Sequence, residues 1–233
     1  MDEAKSDITW LDVPEPTGAE LASWVFWHMC PGIGPRSLRR LLTEFGTARL
    51  AAHAAARGAK RPVFVSCEAW RLASSTPNAV GAGQHEIELA SRYGARVAAL
   101  PSREYPPLLR LIYDPPAVLY VMGKATLADV PWIAVVGSRS ATSYGTGAAR
   151  YLSRQLVAAG AGVGSGMARG VDSAAHRGAM EAGGVTVGVI GAGLAYQMTA
   201  RLACLVREVA QSGCVVSPFN MTYPASRGTF PAR

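Results

Sequence analysis

Between Pro35 and Gly46, in PRSLRRLLTEFG, Leu38, Leu41, Leu42 and Phe45 recur at i, i+3, i+4 and i+7. That spacing gathers them on one stripe of an α-helix. Arg36, Arg39 and Arg40 fall off the stripe, Pro35 suits a first turn and Gly46 suits a stop. The helix belongs to a segment of about 20–75 that reads as helical throughout. From about 76 to 131 the pattern changes. Two short apolar runs, 96–100 and 117–121, flank Pro101, Pro106, Pro107, Pro115 and Pro116, and such prolines forbid a long helix between them.

From Trp132 onward strands and helices alternate. WIAVVG reads as a buried strand. Residues 143–160 read as a helix with Ala148, Tyr151, Leu152 and Leu156 inward and Arg150 and Arg154 outward. AGVGSG, VTVGVIG and CVVS read as three further strands, separated by helices at 171–182 and 202–212. Alternation of this kind builds right-handed βαβ crossovers and a parallel sheet. The expected class is α/β, a Rossmann-like parallel sheet (132–233) preceded by a small helical domain (20–75), a connector with short strands (76–131) and an acidic flexible N-terminus (1–19). The closing residues SPFNMTYPASRGTFPAR carry three prolines and no apolar period, so the sheet is expected to be incomplete at its C-terminus.

The chain has 233 residues, 49% of them hydrophobic, which permits a sizeable core and excludes a disordered protein. Its net charge of +7 favours an anionic partner. The charge is unevenly placed. Residues 1–20 hold six acids against one lysine, residues 36–71 eight bases against two acids, and residues 129–233 nine arginines, no lysine and four acids. Arginines alone suit bidentate phosphate contacts; arginine in place of lysine also follows from a GC-rich coding sequence. Cys30, Cys67, Cys204 and Cys214 form no CxxC pair, which points to reduced, packed thiols in a cytoplasmic protein and to no zinc site. The acidic N-terminus has no apolar core and so is no signal peptide. The apolar run 185–196 is too short for a membrane span.

Ligands of a doubly wound sheet bind beyond the carboxyl ends of its strands. Three glycine-bearing turns fall there: Gly137-Ser138-Arg139, Gly164-Ser165-Gly166 with Arg169-Gly170, and Gly191-Ala192-Gly193. Backbone N–H groups, hydroxyls and two arginines on one edge make an anion-binding rim. A dinucleotide fingerprint is not met, because Arg139 stands where the backbone should be bare and Tyr196 stands where a third glycine is needed. GxxxxGK[ST] is absent. No nucleotide cofactor is therefore expected. Ser165, Asp172 and His176 invite comparison with a hydrolytic triad. Asp172 is better explained as a first-turn acid, and His176 as a group packed on or bonded to its own helix. Gly32-Ile33-Gly34, ahead of the arginine-bearing helix, suits either a phosphate-binding hairpin or an ordinary turn with a basic solvent face.

YPPLLRLIYDPPAVLYVMG, IAVVGSRSATSYG and SGMARGVDSAAHRGAM, together within 105–191, resemble the DNA-processing protein A family, also called Smf. The resemblance implies an extended Rossmann fold that binds single-stranded DNA, protects incoming DNA during natural transformation and loads the recombinase RecA. It implies a homodimer with no enzymatic activity. Carried over, the DNA-facing residues are Gly137, Ser138 and Arg139, then Ser165, Gly166, Arg169, Gly170 and Asp172. Arg36, Arg39 and Arg40 are a secondary candidate surface, and Tyr144 and Tyr151 are candidate stacking platforms, Tyr151 reading more readily as core. Where the family continues with Asp and Tyr-Pro after the third turn, this chain has LAYQM, and Ser217 is followed by Pro218 rather than Glu. These departures imply a C-terminally truncated member with a doubtful dimer and impaired activity. The alternative is a phosphoribohydrolase-like enzyme of related layout; its Pro-Gly-Gly loop occurs nowhere in the sequence.

Overall fold

The computed structural model describes residue 10 and residues 13–124, 130–226 and 228–229. Most of the acidic N-terminal stretch lies outside the described residues. The chain divides into two compact units, one of residues up to Arg92 with Val97–Leu119, the other of Tyr93–Arg96 with Tyr120 onward.

The first unit contains α1 (Gly18–Met29), α2 (Pro35–Phe45), α3 (Ala48–Ala56), α4 (Cys67–Ser74) and α5 (Ala79–Arg92). The leucine stripe of α2 is buried as its spacing predicts, with Phe45 half-buried at its end. Phe45 and Trp27 both lie against Trp70, with ring centroids 6.1 and 6.2 Å away. Aromatic packing of this kind exceeds what area burial alone supplies. Glu20 of α1 accepts hydrogen bonds from the N–H groups of Ala48 (2.7 Å) and Arg49 (3.1 Å). It thereby satisfies donors that the first turn of α3 would otherwise leave orphaned. The connector holds α5, a 14-residue helix that the proline count did not suggest, because the prolines cluster after residue 100. At Gly83 of α5 a Cβ would lie 1.8 Å from the Ala22 carbonyl oxygen of α1. Only glycine permits that approach.

The strands are β1 (Ala95–Ala99), β2 (Val118–Gly123), β3 (Trp132–Ala134), β4 (Gly162–Ser165), β5 (Thr186–Val189) and β6 (Cys214–Ser217). They form one six-stranded sheet in the order β1-β2-β6-β5-β4-β3. The steps β3–β4, β4–β5 and β5–β6 are parallel, while β2 runs antiparallel to β6 with Tyr120 opposite Ser217. The two connector strands thus extend the parallel sheet instead of standing apart from it. The helices α6 (Ser143–Ala158), α7 (Val171–Glu181) and α8 (Ala200–Ser212) fill the crossovers. Each crossover steps one strand the same way, and right-handed connections in one direction put the helices on one face. There Val163 packs with Ala175 and Ala179 of α7 and with Val135, Leu156 and Val157.

The expected inward face of α6 is corrected. Ala149 and Ser153 are its buried residues, while Tyr151 and Leu152 are exposed. The cause is the crossing with α7, so close that a Cβ on Gly178 would lie 2.3 Å from the Arg150 carbonyl oxygen. Such a crossing accepts only small side chains and turns the large ones outward. The aperiodic tail is held by backbone hydrogen bonds, from Ala195 N–H to Met221 O (2.8 Å) and from Gly193 N–H to Tyr223 O (2.9 Å), with Met221 fully buried.

Candidate functional site

Two strand-end turns lie against each other in the second unit. After β3, Ser138 accepts the Val171 N–H at its carbonyl (3.2 Å), and its Oγ accepts the Ser140 N–H (3.1 Å). Gly170, the N-cap of α7, has φ 79°. A Cβ there would stand 2.2 Å from Ser138 O, and one on Gly137 would stand 2.8 Å from Val171 Cγ2. Two bare backbones touching at Gly137–Ser138 and Gly170–Val171 bring the exposed side chains of Arg139 and Arg169 to one place.

Both arginines line two adjoining hollows. One is a polar groove of about 660 Å³ that also receives Arg177 and Arg201, over a floor of small residues such as Gly147 and Ser173. The other is a pocket of about 420 Å³ with apolar walls that include Met167, Ile190, Tyr196 and Leu202. Arg177 and Arg201 were not singled out from the sequence. Arg177 follows Gly170 and Ser173 at i+7 and i+4 on the same face of α7, a helical count that would have found it.

Ser165 and Asp172 serve the site from beneath. Ser165 is 4% exposed, and its Oγ donates to Val135 O (2.7 Å), tying β4 to the turn after β3. Asp172, equally buried, accepts the Ala168 N–H at Oδ2 (3.2 Å) and closes the loop that carries Arg169. Gly166 is buried and lines the apolar pocket. Met167 takes φ 62°, left-handed for a non-glycine residue. It lies over Gly188, where a Cβ would be 2.3 Å from Met167 Sδ.

His176 is fully buried and bonded to the sheet, which corrects the expectation of a bond within its own helix. Its Nδ1 meets Thr186 Oγ1 at 2.7 Å, and that hydroxyl donates to Val163 O (2.8 Å). The hydroxyl proton is thus committed, so the imidazole proton sits on Nδ1. Burial pushes the His176 pKa down to about 4, against the opposing charge of Asp172. Ser165, Asp172 and His176 each bond elsewhere and make no relay. On the wall of the groove Arg150 donates from Nε to Glu181 Oε2 (2.6 Å) and forms an ion pair with its other oxygen. The hydrogen bond from Arg150 holds the Glu181 carboxyl below its ordinary range, with the charges of Arg154 and Arg177 adding to it.

In the first unit, Gly32 has φ 77° and Gly34 caps α2 with no side-chain hydrogen bond. Arg36 stacks on the Tyr113 ring (3.9 Å) and Arg40 on the Phe64 ring (4.2 Å), while Arg39 is half-buried. All four cysteines are free. Cys30 and Cys214 are buried, their thiols pushed up to about 12 by that burial, whereas Cys67 and Cys204 are exposed, contrary to the expectation that all were packed. Among the described residues no three His, Cys, Asp or Glu side chains group as a metal site. No helix among them is long and apolar enough to cross a membrane.

An open sheet whose strand ends carry touching glycine turns, with Arg139 and Arg169 beside them, defines a Rossmann-like protein. The family model described as DNA recombination-mediator protein A matches residues 96–233, and the chain belongs to that family, the DNA-processing protein A or Smf family. It is 28% identical over 224 residues to protein Smf of Synechocystis, covering 92% of this chain and 55% of that relative. DNA processing protein A of Streptococcus pneumoniae has a similar fold, with a TM-score of 0.71 at 22% identity, covering 94% of this chain and 73% of that one. The Helicobacter pylori protein, described for its single-stranded DNA binding mode, superposes with a TM-score of 0.51 at 28% identity, over 58% of this chain and 61% of that one. The chain thus spans little more than half the length of the Synechocystis relative.

Proposed function

We propose that this chain is a non-catalytic, cytoplasmic module that binds single-stranded DNA and, in the manner of its family, protects incoming DNA and passes it to the RecA recombinase. One observation carries the reading: Arg139 and Arg169 stand between an arginine-lined groove and an apolar pocket. A single strand offers a charged backbone and flat apolar bases, and proteins that bind it pair a positive groove with surfaces for the bases. Gly137, Ser138 and Gly170 act through their backbone contact, Gly166 lines the apolar pocket, and Ser165 and Asp172 shape the loop from beneath. The Helicobacter pylori relative, described for binding single-stranded DNA, supports the same ligand. The separate commitments of Ser165, Asp172 and His176 speak against a hydrolytic enzyme. Arg36, Arg39 and Arg40 are a weaker candidate surface, since two of the three already stack on rings of their own unit. Self-association and RecA contact belong to the same proposal; light scattering and capture by purified RecA check them.

Fluorescence anisotropy with labelled oligo-dT tests the reading. Arg139→Ala and Arg169→Ala should each weaken binding by about 1.5–3 kcal/mol, the range for a hydrogen bond to a charged group, with thermal melting unchanged. Parental affinity in both variants would mean that the strand binds elsewhere.

A further inference from the structure

The polar groove does not stop at the strand-end turns. It continues between α6 and α7, lined by Ser143, Thr146, Gly147 and Arg150 on one side and by Gly170, Ser173, Ala174 and Arg177 on the other. Both sets step at i, i+3, i+4 and i+7, so each is one face of a helix. The floor is made of small side chains and the far end of arginines.

Beside this groove, on the adjoining face of α6, stand Tyr144 and Tyr151, seven residues apart. Tyr144 is 86% exposed and Tyr151 61% exposed. Two bare tyrosines on a helix whose buried side is Ala149 and Ser153 contribute nothing to the core. Their spacing along the axis is about 10 Å, enough for two successive bases of an extended strand.

We propose that the outer surface of α6 is a second stretch of nucleic-acid track, taking a single strand with its phosphates in the α6–α7 groove and its bases on Tyr144 and Tyr151. The inference rests on the reading of the strand-end site given above and extends it. The occupant follows from the chemistry of the two faces. A row of cations beside a row of flat aromatic rings matches a polyanion that carries flat rings, and each ring stacks on any base without regard to sequence. A duplex keeps its bases stacked inside and offers nothing to the tyrosines. In the free protein the Glu181 carboxylate engages Nε and Nη2 of Arg150. It occupies the seat that a phosphate takes when the strand follows the groove, and the exchange of one anion for the other sets how firmly the distal part of the strand is held.

The test compares a four-nucleotide with a sixteen-nucleotide oligo-dT by fluorescence anisotropy at fixed salt. The variants are Tyr144→Ala with Tyr151→Ala, the same pair changed to Phe, the pair changed to Leu, Glu181→Gln, and Arg139→Ala as the control at the turns. Stacking is worth roughly 1–3 kcal/mol per base, so the alanine pair, which removes two platforms, should lose at least about thirtyfold on the long strand and little on the short one. The Phe pair should bind like the parent and the Leu pair like the alanine pair, because the ring and not the apolar bulk is required. Glu181→Gln should bind the long strand several-fold more tightly and the short one unchanged. Equal loss on both strands, or parental affinity of the alanine pair for the long strand while Arg139→Ala still weakens it, would overturn the track and leave the turn site standing. Failure of the parent to bind any strand would overturn both.

Discussion

At Gly170 and His176 single residues decide what the site can be. Gly170 holds φ 79° with Ser138 O in the space a Cβ would need. Gly170→Ala should therefore pair backbone strain of about 1–3 kcal/mol with separation of the two turns, lowering both the melting temperature and DNA affinity. Parental values for both would refute the account of that contact. His176 gives a prediction in pH. Its folded pKa, about 4, lies below the ordinary 6.5, because burial disfavours the imidazolium. The fold thus favours the neutral ring. The stability this ring supports is fully present above pH 6.5 and declines as pH falls toward 4, by about 3 kcal/mol in all. Urea midpoints measured between pH 7 and 4 should fall, with the His176 ring signal by NMR titrating near 4. A midpoint near 6.5 would contradict its burial and its bond to Thr186. The serine, aspartate and histidine of the 164–180 stretch were conspicuous in the sequence, but composition could not say which faced inward. The partners decide that: Val135 and Thr186 lie on other turns or strands, and Ala168 lies in the loop ahead of α7 that Asp172 closes.

Helices and strand order followed the periodicity wherever one rule governed them, but WIAVVG, expected as a buried strand, is the three-residue edge strand β3, with Ile133 and, beyond it, Val136 exposed. The stripe of α2 and the strand–helix alternation after Trp132 are one-dimensional signals, and they marked α2, α6, α7 and α8 to within a few residues. What periodicity could not supply was the identity of the neighbour. α6 was expected to turn Tyr151 and Leu152 toward a sheet. It meets α7 across Gly178 instead, and that contact admits only small residues. In the same way α5 hid in a connector judged by its prolines, and β2 joined β6 antiparallel, a pairing between residues nearly a hundred positions apart. The close crossing carries its own prediction. Gly178→Ala should push α6 from α7, destabilise the unit by about 1–3 kcal/mol as overpacking does, and open the arginine groove so that long strands bind less well. A circular dichroism melt and an anisotropy titration check it; an unchanged melt would mean that the helices separate freely.

The molecule as a whole joins an acidic N-terminal stretch to a basic remainder, whose arginines stand in different surroundings. Arg36 and Arg40 stack on Tyr113 and Phe64, and Arg150 is paired with Glu181. Arg139 and Arg169 converge where the backbone turns touch, beside an apolar pocket that no count of charges would reveal. In the proposed function those two arginines hold the phosphates of a single strand. Neutralising phosphates releases counterions, so the logarithm of the binding constant falls with the logarithm of salt by about 0.7 for each contact to a single strand. The most direct test is the salt dependence of oligo-dT binding, from about 50 to 300 mM, for the parent and for Arg139→Ala combined with Arg169→Ala. The parental slope should be steep and the variant slope shallower by about 1.4, with no change in thermal melting. Parallel slopes for the two proteins would contradict it.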